Sequence, residues 1–248
     1  MEDKNWITIE LTNNCNLRCP YCSQFSSLQK PKGFMEFLTF TKIIDSLVKN
    51  KTNLSNIDLF FRGESLLHPR FSEMLDYLYE SARQHQICEY IKLHTNAEFL
   101  TKENTEAILK VCDQAVLKHP GDLFLSIDAA TAKTHNIVRP GGNFQKIVEN
   151  IKYFLKRREE KNQFGPSMVF QFIIQPENSH EAQIFLDYWA NYFKSLGIEY
   201  YVDKSLGPEL PCIKRTTIYF RRLSSWHEER EKNKSLQKQI MKEMELVE

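Results

Sequence analysis

The sequence predicts an α/β fold built on a parallel sheet, because short strand-like runs alternate with helical patterns along the chain. The first run, Trp6–Thr12, carries apolar residues at every second position. Five further runs are β-branched or aromatic: Ile57–Phe61, Tyr90–His94, Leu123–Ile127, Met168–Ile174 and Ile198–Val202. Parallel neighbours need crossover connections, so six βα units in series indicate a parallel sheet that is either open or closed partly or fully into a barrel.

Three apolar stripes at helical spacing lie between the strands, and we expect them to be the core faces of helices. They consist of Phe71, Met74, Leu75, Leu78, Tyr79 and Ala82; of Phe144, Ile147, Val148, Ile151, Phe154 and Leu155; and of Ile184, Phe185, Tyr188, Trp189, Tyr192, Phe193 and Leu196. We expect residues 1–206 to form the core. Residues 207–248 form a C-terminal extension with a strand-like run, Thr216–Phe220, and a helical stripe of Leu236, Ile240, Met244 and Val247.

Composition is that of a globular protein without a membrane or nucleic-acid partner. The chain has 248 residues, 42% of them hydrophobic, and a formal net charge of +1, which disfavours binding to nucleic acid. No apolar stretch reaches the length of a membrane span, and the N-terminus has no hydrophobic signal region. A cytoplasmic protein is therefore expected, in which the cysteines are thiols or ligands.

Three of the six cysteines, Cys15, Cys19 and Cys22, stand in one CxxxCxxC run directly after the first strand. This spacing gathers three thiolates into a short loop, as a metal cluster requires. Iron–sulfur clusters usually take four Cys, so three leave one iron open for chemistry. A zinc knot or a chance grouping is the alternative. Cys88 and Cys112 are expected to be small buried residues.

Polar residues follow the next strands at the edge where parallel sheets carry their sites. The second strand ends in Gly63-Glu64, and a carboxylate there can receive an ammonium group. The third ends in His94, which suits a core histidine or a ligand, and then Thr95-Asn96.

The fourth strand carries Ser126 and Asp128 at alternate positions, which suits a ribose, although Asp128 alternatively caps the following helix. Arg139 precedes a Gly-Gly turn and is a natural partner for a carboxylate, or else a surface charge.

Together these motifs resemble the radical S-adenosylmethionine superfamily over about residues 6–206. The residues that carry the resemblance are the CxxxCxxC run with the aromatic Tyr21 before its third Cys, Gly63-Glu64, Thr95-Asn96, the Ser126–Ala129 run, Arg139 and the Asn143–Leu155 helix. The resemblance implies a partial (β/α)6 TIM-like barrel. The members it most resembles are those with a SPASM or twitch domain.

By this resemblance, Cys15, Cys19 and Cys22 hold three irons of a [4Fe-4S] cluster, and S-adenosylmethionine chelates the fourth. Glu64 binds the amino group of that cofactor, Arg139 meets its carboxylate, and Ser126 and Asp128 contact the ribose or methionyl atoms. Tyr21, Gly63, Thr95 and Asn96 line the same cofactor site. An electron donor such as flavodoxin or ferredoxin reduces the cluster, which cleaves S-adenosylmethionine to methionine and a 5′-deoxyadenosyl radical that abstracts hydrogen from substrate.

The chain departs from the family pattern in two places. Members commonly have Gly-Gly-Glu-Pro where this chain has Arg62-Gly63-Glu64-Ser65, so a side chain at Arg62 can crowd the cofactor or enter the substrate space. Beyond residue 112 the only cysteine is Cys212, too few for an auxiliary-cluster domain. Either one cluster suffices, or the chain stops before a Cys-rich continuation.

Three functions follow as hypotheses. The first is a radical enzyme that modifies a peptide or protein. The second is a radical enzyme acting on a sugar or nucleoside, and the third is a non-catalytic module that holds zinc or a structural cluster.

Overall fold

In a computed structural model that describes residues 5–22, 31–113, 115–203 and 213–223, one parallel sheet organises the chain. Its strands are β1 (Ile7–Thr8), β2 (Leu54–Asp58), β3 (Cys88–Thr95), β4 (Asp122–Ser126), β5 (Ser167–Ile174), β6 (Tyr201–Asp203) and β7 (Thr216–Arg222). They lie in the order β1-β2-β3-β4-β5-β7-β6, and every neighbouring pair is parallel. Since β1 and β6 end this order, the sheet is open among the described residues, which confirms the α/β, partial-barrel prediction.

Helices connect the strands and cover one face of the sheet. They are α1 (Phe37–Lys49), α2 (Phe71–His85), α3 (Lys102–Val111), α4 (Ala132–Val138), α5 (Phe144–Glu160) and α6 (Ala182–Ser195), with 3-10 turns at Ser65–Leu67 and Ser179–Glu181. The three predicted stripes lie in α2, α5 and α6 and mostly face the core. Ile184 and Tyr188 are exceptions, with 52% and 41% of their surface exposed. No helix in the described ranges has the length and apolar character that crossing a membrane requires.

The first strand is shorter than predicted. Trp6–Thr12 was expected to be extended throughout, but only Ile7–Thr8 has the paired geometry of a strand. The chain then turns toward a second partner: the Leu11 carbonyl accepts the Met35 amide at 2.8 Å, and Thr12 forms an antiparallel bridge to Phe34. The continuation of β1 is therefore held by the segment before α1.

The sheet contains one strand more than the six predicted for the core. The strand-like run Thr216–Phe220 forms β7, which lies between β5 and β6 and pairs with both. The proposed boundary at residue 206 stays a prediction, but the sheet uses residues on both sides of it. Cys212 and the predicted C-terminal helical stripe lie outside the described residues.

A buried arginine fixes the start of β7. Arg158 of α5 is fully buried, and its Nη1 donates to the carbonyl oxygens of Pro166 and Arg215 at 3.1 and 3.0 Å. Its Nη2 donates to Thr216 Oγ1 at 2.9 Å. Because these acceptors belong to the segments that open β5 and β7, one guanidinium aligns the two strands.

The two faces of the sheet differ in chemistry. On the helix-covered face the strands contribute fully buried residues such as Ile57, Ile91, Leu123 and Phe170. On the opposite, concave face the register places Asp58, Lys92 and Asp122 side by side, two residues below His94 and Phe124. The concave face therefore carries a charged row beneath an aromatic row.

The carboxyl end of β2 packs directly onto the backbone of the cysteine loop. A Cβ atom on Gly63 would lie 2.1 Å from the Thr12 carbonyl oxygen and 2.6 Å from that of Asn14. The Glu64 amide donates to the same Asn14 oxygen at 2.8 Å. Gly63 therefore allows the segment after β2 to approach the backbone of the cysteine loop, where a side chain would collide with carbonyl oxygens.

Replacement of Gly63 by Ala should lower the free energy of unfolding by about 2 kcal/mol or more, because backbone oxygens cannot yield to the new methyl group. Urea unfolding measures this loss. Gly33→Ala is the matched control, since a Cβ there meets no atom within 4 Å, and its effect should stay within about 0.5 kcal/mol. Equal stability of the two variants would contradict the packing described for Gly63.

Asp122 should make the protein less stable as the pH rises. Burial raises the pKa of its carboxyl to about 6, with Lys92 opposing and Asp58 reinforcing the shift. The folded state therefore holds this proton more tightly than the unfolded chain, so the free energy of unfolding should fall by about 2 kcal/mol between pH 4 and pH 6. Asp122→Asn should remove that slope, whereas Asp187→Asn, at an exposed position, should keep it. The same slope in both variants would contradict this assignment.

Candidate active site

The three cysteines of the CxxxCxxC run lie on one loop at the carboxyl end of β1. All three are free thiols; Cys19 is buried, while Cys15 and Cys22 are partly exposed. The loop is tightened by the Cys22 amide, which donates to the Cys19 carbonyl at 3.0 Å. Burial raises the pKa of Cys15 to about 11 and also raises that of Cys19. Binding of a metal centre would therefore release protons from these thiols.

In the described ranges, no three His, Cys, Asp or Glu side chains come close enough together to hold one metal ion. Cys88 and Cys112 lie in the hydrophobic core, as the sequence indicated, and burial raises the pKa of Cys88 to about 12. Of the five described cysteines, the three on the loop are therefore the candidates for metal ligation.

The turn after α4 supports the far side of this loop. The Arg18 amide donates to the Pro140 carbonyl at 2.9 Å. A Cβ on Gly142 would lie 2.6 Å from His135 Cε1 and 3.0 Å from Leu17 Cδ2, so only glycine fits between them. Leu17 is itself 2% exposed. The cysteine loop is thus clamped between Gly63 on one side and the Gly141-Gly142 turn on the other.

A buried ion pair joins the loop to β4 and to the turn. Asp128 Oδ2 accepts from Arg139 Nε and Nη2 at 2.9 and 2.6 Å, and from the Tyr21 hydroxyl at 2.6 Å. Arg139 Nη1 reaches Cys19 Sγ at 3.9 Å. Burial alone would lower the pKa of Arg139, but the charge of Asp128 more than compensates and raises it. The guanidinium therefore stays charged beside a thiol of the loop.

This arrangement differs from the expectation that Ser126 and Asp128 share one face toward a ribose. β4 ends at Ser126, and Asp128 has a left-handed backbone with φ of 55°. Its Oδ1 accepts the Ile173 amide at 2.7 Å, so the carboxylate receives four hydrogen bonds from the protein. The alternative of a cap for the following helix is wrong, because Thr131 caps α4. Contacts of Ser126, Asp128 and Arg139 with a cofactor stay predictions.

Glu64, Thr95 and Asn96 form a second network, which links the ends of β2 and β3. Glu64 is 3% exposed; its Oε1 accepts from Thr95 Oγ1 at 2.8 Å and from the Leu66 amide at 3.2 Å, and its Oε2 accepts from the Asn96 amide at 2.8 Å. Burial raises the pKa of Glu64 against these bonds. A carboxylate accepts about four hydrogen bonds, so one position remains for an ammonium group.

Asn16 connects the second network to the cysteine loop. Its Oδ1 accepts from Asn96 Nδ2 at 2.9 Å, and its Nδ2 donates to Glu98 Oε2 at 2.7 Å. Neither Asn16 nor Glu98 was predicted from the sequence to be a site residue. Asn16 lies between the first two cysteines of the run, which is a sequence signal of a site residue. Glu98 carries no such signal.

Glu181 is another site residue that the sequence did not reveal. It is 3% exposed and accepts hydrogen bonds from the Ala130 and Thr131 amides and from the hydroxyls of Thr131 and Thr134. These bonds hold the chain between β4 and α4. Because its four partners lie about 50 residues earlier, no local pattern could have assigned it.

The two departures from the family pattern fit the structure without entering the site. Arg62 is exposed, with its guanidinium carbon 5.1 Å from the Phe61 ring centre, and its amide donates to Glu10 Oε1 at 2.9 Å. Ser65 is buried and donates from Oγ to the Leu59 carbonyl at 2.7 Å. Arg62 therefore lies over a neighbouring ring at the surface.

His94 belongs to the aromatic row of the concave face. It stacks between Phe60 and Phe124, with ring centres 3.8 and 4.2 Å away. Burial lowers the pKa of His94 to about 3, and the charges of Lys92 and Arg221 add to the effect. The structure therefore favours the core-histidine interpretation, with a neutral imidazole at neutral pH.

Comparison with known proteins finds relatives of this chain. One of the relatives that match is the tungsten-containing aldehyde ferredoxin oxidoreductase cofactor-modifying protein of Pyrococcus furiosus, 26% identical over 83% of this chain and 52% of its own length. Another is the antilisterial bacteriocin subtilosin biosynthesis protein AlbA of Bacillus subtilis, 29% identical over 58% of this chain and 29% of its own length. The chain thus spans about half or less of the length of these relatives.

Among solved structures, SuiB of Streptococcus suis shares the fold. Bound to its precursor peptide SuiA, it aligns with a TM-score of 0.55 and 14% identity over 79% of this chain and 38% of SuiB. Bound to S-adenosylmethionine, it aligns with a TM-score of 0.59 and 12% identity over 97% and 47%. The family description "Radical SAM superfamily" matches residues 9–185, most of the chain. The chain therefore belongs to the radical SAM superfamily of enzymes.

Proposed function

We propose that the chain is a radical S-adenosylmethionine enzyme that modifies a peptide or protein. The observation that carries this proposal is the set of three free thiols on one loop, at the carboxyl ends of the strands and beside two buried carboxylate networks. Cys15, Cys19 and Cys22 would hold three irons of a [4Fe-4S] cluster. When bound and reduced, the cluster cleaves S-adenosylmethionine to methionine and a 5′-deoxyadenosyl radical, which takes hydrogen from substrate.

The residues of the site fit these groups. Three thiolates leave one iron of a four-iron cluster without a protein ligand. Glu64 retains acceptor capacity for the amino group of S-adenosylmethionine. Hydrogen bonds through Asn96 and Asn16 connect Glu64 to the cysteine loop. Arg139 Nη1 places a positive charge near Cys19. Buried Leu17 and Cys19 keep water from that side of the loop.

Two comparisons support the peptide substrate class. AlbA is a bacteriocin biosynthesis protein, and SuiB has been solved with its precursor peptide. We also propose a cytoplasmic location, where thiols stay reduced, and a flavodoxin or ferredoxin as electron donor.

The reconstituted, reduced protein should form 5′-deoxyadenosine from S-adenosylmethionine, as measured by chromatography with mass detection. Cys19→Ala should lower that yield by more than about 100-fold, since loss of a ligand exceeds the effect of losing an outer-shell partner.

Cys88→Ala is the matched control, because Cys88 lies in the core near the amino end of β3 and should leave the yield within about twofold of the unaltered protein. Absence of product from iron-loaded protein, or equal yields from the two variants, would overturn the proposed reaction.

The charge of Arg139 should set the reduction potential of the cluster. Hydrogen bonds and positive charge near a cluster sulfur stabilise the reduced state. The double variant Asp128→Asn/Arg139→Gln removes both charges of the buried pair and should lower the potential by about 60 mV, or about 1.4 kcal/mol. The single variant Asp128→Asn leaves the cation unbalanced and should raise it.

Potentiometric titration followed by electron paramagnetic resonance measures both shifts without requiring catalysis. Shifts of the same sign in the two variants would contradict a role for Arg139 in tuning the cluster through Cys19.

A further inference from the structure

The upper part of the concave face carries a second arginine. Along β7, Ile218 and Phe220 belong to the helix-side core, whereas Tyr219 packs with Phe124 and Val169 on the concave side. Side chains alternate along a strand, so Arg221 follows Tyr219 on the concave side. Its Cα partner is Ile173 of β5, whose amide binds Asp128. Arg221 therefore lies across β5 from the buried ion pair.

The side chain of Arg221 has no partner among the described residues. It is partly exposed, and no hydrogen bond or ion pair joins its guanidinium to the part of the chain that the structure describes. Its charge nevertheless reaches His94, whose pKa is lowered chiefly by burial and further by Lys92 and Arg221. Arg139, in contrast, already binds Asp128 through two nitrogens.

A second donor near this end of β5 also lacks a partner. Gln175 directly follows β5, is 6% exposed, and its Nε2 has no hydrogen-bond partner among the described residues. An unpaired buried amide costs about 1–3 kcal/mol, so such groups usually meet a ligand or water. Gln175 and Arg221 lie at the carboxyl ends of adjacent strands and together offer donors without an acceptor.

We infer that Arg221, with Gln175 beside it, binds a carboxylate of the peptide substrate, an inference that rests on the proposed function. A guanidinium fork matches one carboxylate in two parallel hydrogen bonds. A polyphosphate or nucleic acid would need several cations, and the chain has a net charge of only +1. The carboxylate is either the C-terminus of the peptide or an Asp or Glu side chain.

The test uses the reconstituted full chain and defined probes. One pool of randomised N-acetylated tetrapeptides without Asp or Glu is offered as free acids and as C-terminal amides. The second comparison uses C-terminal amides only. One of its pools contains Asp and Glu, and the other contains Asn and Gln in their place. Equilibrium dialysis with mass detection gives the ratio of bound acid to bound amide. The proteins are the unaltered chain, Arg221→Gln, Arg221→Lys and Lys214→Gln, which loses one exposed charge at the opposite end of β7.

The unaltered chain should prefer the acidic probe by about tenfold in one of the two comparisons, as expected for a charge-assisted pair. Arg221→Gln should bring the ratio of bound acid to bound amide to about one. Arg221→Lys should retain part of the preference for the acid, and Lys214→Gln should retain all of it. The comparison that shows the preference identifies the C-terminus or the side chain as the source.

Three results would overturn the inference. The first is that the unaltered chain shows no preference for the acidic probe, and the second is that Arg221→Gln retains this preference. The third is a tenfold loss of S-adenosylmethionine affinity in Arg221→Gln, which would assign the cation to the cofactor. If the preference follows Arg221 but the unaltered chain forms no 5′-deoxyadenosine, the carboxylate site is supported and the proposed reaction fails.

Discussion

The buried pair of Asp128 and Arg139 is the interaction on which the site depends. It joins four parts of the chain: the end of β4, the turn after α4, the cysteine loop through Tyr21 and Cys19, and β5 through Ile173. Removing one partner of a buried pair usually costs about 3–5 kcal/mol, because the other charge stays buried. The pair therefore fixes the position of the cysteine loop, and it also places a charge beside that loop.

Sequence periodicity predicted the sheet well because each strand carries its apolar face in its own residues. The stripes of α2, α5 and α6 likewise contain their own evidence of burial. The place of β7 between β5 and β6 could not be predicted, since a strand pattern does not encode its neighbours. The cysteine loop could be predicted from the spacing of its cysteines. Glu181 and Glu98 could not be predicted, because their hydrogen-bond partners are distant in sequence.

Asp128 shows what residue identity alone leaves out of a site. Alternation along β4 placed it beside Ser126, but the left-handed backbone at Asp128 breaks the alternation and turns the carboxylate into the protein. Arg139, which the resemblance assigns to the carboxylate of the cofactor, binds Asp128, and its contact with a cofactor stays a prediction. Among the described residues the Arg221 side chain has no such partner, and it belongs to β7, whose place in the sheet was not predicted.

The layers of the concave face explain how one sheet can serve both cofactor and substrate. Asp58, Lys92 and Asp122 form a charged lower row, and the stacked rings of Phe60, His94 and Phe124 separate it from the carboxyl ends above. A radical formed above that stack would face rings and a neutral imidazole, since His94 has a pKa of about 3 owing to its burial. Burial is the main cause of that low pKa, and the charges of Lys92 and Arg221 reinforce it, so the concave face presents no protonated imidazole below the carboxyl ends of the strands.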